Sequence, residues 1–110
     1  VQEDVAVSEK AVSKALKAQL PLGVEQTWQD MTSQRQKGVT YTNTTGRPIM
    51  ISVALSGHSD PSTSIYVNGV RASFSTSTGH TVCHNLIVPN NHTYKAGNNG
   101  TDIVLWSELR

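Results

Sequence analysis

The 110 residues are 36% hydrophobic and 15% charged with a formal charge of +1, which fits one small domain whose polarity comes from Ser, Thr, Asn and Gly rather than from ions. So small a charge offers no field to gather nucleic acid or anionic lipid. No run of about 18 apolar residues is present to insert into a membrane, and the single cysteine, Cys83, has no internal disulfide partner. Stability must therefore come from packing or from assembly with further copies, which suits strands with hydroxyl-rich solvent faces.

Residues 1–22 are the helical part. Val5, Val12, Ala15 and Leu16 recur near helical spacing among Glu, Lys, Ser and Gln. A weak heptad places Val5, Val12 and Gln19 at one core position and Val1, Ser8, Ala15 and Leu22 at the other. A helix this short barely holds alone in water, because nucleation is costly. Two arrangements answer this: a coiled-coil stalk of three copies with its seam along Val5, Val12, Ala15 and Leu16, or an amphipathic helix lying on its own domain. Pro21 and Gly23 end it in either case. Residues 1–10 begin with Val1 and lack the charged and apolar regions of a signal peptide, so the chain is expected to be the end of a longer protein.

From residue 23 the pattern changes to short strands. Residues 26–31, carrying Trp28, and 37–42 come first. Residues 39–55 then read as the organising stretch. Asn43, Thr44, Thr45, Gly46 and Pro48 predict a hairpin turn, after which Ile49, Ile51, Val53 and Leu55 alternate with Met50, Ser52, Ala54 and Ser56. Such alternation loads one sheet face, and residues 47–56 are expected to be the central strand. A loop over 57–61 follows. Asn68-Gly69, between strands at 64–67 and 70–74, is the strongest short hairpin signal in the chain, since a type I′ turn needs positive φ at both central residues. Strands are further predicted at 81–88, 93–96 and 102–109, separated by turns at 89–91 and 97–100. About seven strands at this spacing predict an all-β antiparallel sandwich over 23–110, preceded by the helix of 1–22.

The segments GVEQTWQDMTSQRQKGVTYTNTTGRPIMISV (23–53) and IVLWSELR (103–110), together with SIYVNGV (64–70) and LIVPNNHTYKAG (86–97), resemble the C-terminal domain of tail fibre proteins from tailed bacteriophages and prophages. The resemblance covers most of the chain after residue 22. It implies a homotrimer at the distal end of a virion's tail fibre, attaching to a bacterial surface receptor, either lipopolysaccharide or an outer-membrane protein. It favours the three-stranded form of the helical segment, since such fibres join shaft and tip through short trimeric segments, and the expected action of the tip is binding without catalysis, given the spacing of its carboxylates. It supplies no motif-defined binding residues.

Recognition residues gather on loops held by a rigid scaffold. The candidates are accordingly His58, Ser59 and Asp60, then Asn68 and Arg71 around the hairpin, then Asn98 and Asn99. A different role for the domain is structural, capping the fibre and registering three chains. A surface-polysaccharide hydrolase is a further alternative, although Glu25, Asp30, Asp60, Asp102 and Glu108 include no pair close in sequence for glycoside hydrolysis. His58-Ser59-Asp60 has triad residue types, but neighbours in one loop seldom reach triad geometry, and a polar loop is the simpler expectation. His80 and His84 are a weak metal-ligand alternative on one strand face, set against a turn role for His80 and a half-buried His84. Cys83 is expected to be buried. No motif calls for a cofactor. Trp106 is assigned to packing, while Trp28 is open between a sugar-stacking platform and an apolar anchor. Asn43, Asn91 and Asn99 begin glycosylation sequons, read here as turns.

Overall fold

A computed structural model describes residues 20–57, 62–76, 80–97 and 100–110. The expected helix lies outside the described residues apart from its last three, which lead into a turn over 22–25, and so do its seam residues Val5, Val12, Ala15 and Leu16.

The described chain is an all-β sandwich of two four-stranded antiparallel sheets. The first runs in the order β1 (Trp28–Asp30), β8 (Thr101–Leu109), β3 (Ile49–Gly57) and β6 (Thr81–Val88). The second runs β2 (Tyr41–Thr42), β7 (Thr93–Ala96), β4 (Ser62–Val67) and β5 (Val70–Thr76). With β3 flanked by β6 and β8, the alternating stretch is central as expected. Its side chains Ile49, Ile51, Val53 and Leu55 are fully buried and meet Val88 and Trp106 from their own sheet and Ile65, Tyr94 and Ala96 from the other. Burying side chains of this size contributes about 1.5–3 kcal/mol each, so this alternation is the main source of cohesion between the sheets.

The turn over 43–48 departs from the expectation. It makes no hairpin, because β2 pairs with β7 in the second sheet while β3 lies in the first. Its turn-forming residues instead carry the chain from one sheet to the other. The buried Asn43 amide donates to the carbonyls of Arg47, Val88 and Pro89 at 2.8, 3.0 and 3.2 Å, and its Oδ1 accepts from the Thr45 amide and hydroxyl. One side chain thus ties the turn to the end of β6, in place of the backbone ladder a hairpin would use.

Asn68-Gly69 does form the expected hairpin, with φ of 52° and 81° and Val67 facing Val70. A register shift then sets Tyr66 opposite Arg71 but Ile65 opposite Ser73, leaving Ala72 as the extra residue. A second bulge, in β8, carries Leu105 opposite Ala54 and Ile103 opposite Leu55, leaving Val104 unpaired. At the start of the link from β7 to β8, Gly97 has φ 75°, and an added Cβ would stand 2.7 Å from Thr101 Oγ1; both conformation and space require glycine.

Candidate functional site

Among the described residues, three side-chain clusters are the candidates for chemistry or binding, two inside the sandwich and one outside. The first is centred on Glu108, fully buried near the end of β8. Its Oε2 accepts from Arg35 Nε at 2.9 Å, from the Tyr94 hydroxyl at 3.0 Å and from Trp106 Nε1 at 3.0 Å. Its Oε1 accepts from Arg35 Nη2 at 3.2 Å and Arg110 Nη1 at 2.8 Å. Burial alone would raise this carboxyl. The hydrogen bonds from Arg35 and Arg110, the Arg35 charge and the Tyr94 hydroxyl outweigh burial, and the carboxyl titrates below its ordinary value. Burial, then the Glu108 charge, raises the Tyr94 hydroxyl in turn. The Tyr41 ring stacks on this group, with its centroid 6.0 Å from Tyr94 and 5.9 Å from Trp106, and Arg35 lies 4.7 Å above its face. A carboxylate held ionised by two guanidiniums and five donated bonds is poorly suited to general acid work. The cluster locks both sheets and the 3-10 turn segment before Arg35 to the end of the chain.

The second cluster is His84, buried on β6 and facing the other sheet. Thr63 Oγ1 lies 2.8 Å from its Nε2 and Ser73 Oγ lies 2.6 Å from its Nδ1. The ring therefore bridges β6 to β4 and β5, and burial holds its imidazole below the ordinary value. With both nitrogens engaged by hydroxyls, and with His80 exposed outside the strand, the weak metal alternative loses its geometry. Among the described residues no group of three His, Cys, Asp or Glu stands together as a metal set. Cys83, expected to be buried, is exposed, because strict alternation turns it outward when His84 points in.

The third cluster lies on the outer face of the second sheet. The hairpin register brings Arg71 of β5 across Tyr66 of β4, the guanidinium carbon 5.8 Å from the Tyr66 ring centre and 5.0 Å from that of Phe74. Lys95 of β7 pairs with Tyr66 on its other side, its Nζ 5.2 Å from the same ring. Phe74 is half exposed. Beside them a shallow depression of about 390 Å³ is lined by Thr40, Tyr66, Gly69, Thr93 and Lys95. Two cations spread over two accessible rings, with hydroxyls at the rim and no carboxylate in the lining, can pair with an anion while a ring stacks on a flat ligand. Here the indole is not involved: Trp106 is in the core as expected, and exposed Trp28 lies on the opposite sheet.

Of the residues singled out in the sequence, Arg71 belongs to this third cluster, and Asn68 stands in the turn of the same hairpin, three residues before it. His58, Ser59, Asp60, Asn98 and Asn99 lie outside the described residues. Tyr66, Phe74 and Lys95 were not foreseen. A signal for the first existed, since a two-residue Asn-Gly turn already sets the residue before Val67 opposite the one after Val70. Comparison with protein-family models, with curated proteins and with solved structures finds no match.

Proposed function

We propose that the chain is the receptor-binding tip of a phage tail fibre, attaching the virion to a bacterial surface glycan without reaction. In this reading residues 1–22 form a trimeric coiled-coil stalk and the sandwich is displayed three times at the distal end of the fibre. The resemblance of residues 23–53 and 103–110 to such fibre tips supports the class. The observation that carries the mode of binding is the cluster of Tyr66, Arg71, Phe74 and Lys95 on a rigid sheet. Its guanidinium and ammonium groups would meet phosphate or carboxylate groups of the glycan, while Tyr66 and Phe74 stack on sugar rings. Exposed charges of this kind are individually weak and screened by salt. Three copies on one fibre raise the effective concentration of the second and third contacts, so attachment is tight although each contact is weak.

Replacing Arg71 and Lys95 together with Ala tests this directly. Both side chains lie on the outer face, so the variant should keep its fold by circular dichroism and lose at least tenfold in binding to cells that the parent chain binds. Unchanged binding of the folded double variant would remove the patch as the contact.

A further inference from the structure

The outer face of the first sheet is built in rows that run across the strands. Alternation and register bring Trp28, Leu109, Met50 and Ile87 side by side in one apolar row over all four strands. The next row is Asp30, Ser107, Ser52 and Asn85, all polar. The row beyond it, Leu105, Ala54 and Cys83, is again apolar or nearly so. At neighbour spacings of about 4.8 Å, the polar row extends roughly 14 Å between apolar banks. Trp28, 52% exposed, overhangs it, and with Ser52, Asn85 and Ser107 it lines a depression of about 240 Å³.

We propose that this row is a binding groove for an uncharged polysaccharide chain, distinct from the cation-bearing patch on the opposite sheet. The apolar face of a sugar ring would stack on the Trp28 indole, while its hydroxyls exchange hydrogen bonds with the Ser52 and Ser107 hydroxyls and the Asn85 amide. Side chains held on β3, β6 and β8 lose little entropy on binding. The chemistry of the face selects this occupant. None of the four strands contains Lys or Arg, so a phosphate or uronate gains nothing there, and Asp30 at the end of the row repels it. A second copy docking through the apolar rows would cover Ser52, Asn85 and Ser107 together, at a cost unless each finds a partner. A saccharide brings those partners in its own hydroxyls.

Fluorescence of the full chain reads this groove selectively. Of the two tryptophans, Trp106 is fully buried and Trp28 is exposed, so acrylamide quenching reports mainly on Trp28. Titration with maltohexaose, cellohexaose and the hexamer of N-acetylglucosamine should give, for at least one of them, saturable protection of Trp28 at millimolar or lower concentration. Asn85→Ala, at an exposed position, should weaken that protection about fivefold, the loss of one hydrogen bond. Three results would overturn the inference: no protection by any of the three, equal protection by anionic polygalacturonate, or protection that rises with protein concentration in the absence of sugar. The last would make the face a contact between copies. None of these outcomes bears on whether Arg71 and Lys95 hold cells, so the two sites stand or fall separately.

Discussion

Replacing Glu108 by Gln probes how the sandwich is closed. The substitution preserves shape and removes the charge. A glutamine keeps one oxygen and turns a donor toward either the Arg35 and Arg110 pair on Oε1 or the Arg35, Tyr94 and Trp106 set on Oε2, so at least two donors lose their acceptor. Arg35, with a side chain only 12% exposed, also loses its counter-charge. Breaking a buried ion pair from one side costs about 3–5 kcal/mol. In a domain of this size that lowers the melting temperature by on the order of 20 °C. Thermal unfolding followed by near-ultraviolet circular dichroism is the direct assay, because Tyr41, Tyr94 and Trp106 surround the carboxylate and report its loss. A folded Glu108→Gln chain melting within a few degrees of the parent would show that the pair contributes little to closing the sheets.

Acid should destabilise the fold in two stages. His84 is held below its ordinary value of 6.5, so the unfolded chain takes up its proton first, and stability should be full above that pH and begin to fall below it. Glu108 is held below 4.5, so the stability it contributes is present above that pH and is lost as the pH falls through its lower folded value. Urea midpoints measured from pH 8 to pH 3 should trace both limbs, and His84→Gln should flatten the first alone; a flat parent profile between pH 7 and 5 would contradict the burial of the imidazole. Asn43→Ala removes the bonds donated to Val88 and Pro89, which tie the 43–48 turn to the end of β6, and the one to Arg47 within the turn, costing about 2–3 kcal/mol in urea unfolding. A loss under about 0.5 kcal/mol would mean that the turn is held by its backbone alone.

Most of the architecture was legible because the period-two pattern is strong. The strands expected at 81–88 and 93–96 are the observed β6 and β7, and Asn68-Gly69 marks its hairpin. Each of these features depends on neighbours in sequence. The 43–48 turn was misread because Asn, Thr and Gly announce a change of direction without saying which strands it joins; that was decided by a buried amide reaching Val88, 45 residues away. Cys83 was misplaced by residue type, although its own alternation with His84 carried the right answer. The Glu108 cluster was hidden for the same reason as the turn. Its donors come from residues 35, 94, 106 and 110, and a lone glutamate in Trp-Ser-Glu-Leu-Arg looks like a surface residue until the register turns it inward with Trp106. The outer-face patch falls between these cases, since Tyr66 opposite Arg71 follows from the hairpin while Lys95 enters only through the pairing of β4 with β7.

The most direct measurement is attachment of the labelled chain to a panel of bacterial strains before and after their surface polysaccharide is stripped. Saturable binding to at least one strain is expected, lost on stripping, weakened by added salt and reduced at least tenfold by the Arg71→Ala, Lys95→Ala pair. Binding to no strain, or binding that survives both stripping and the double substitution, would contradict attachment through the Tyr66, Arg71, Phe74 and Lys95 face.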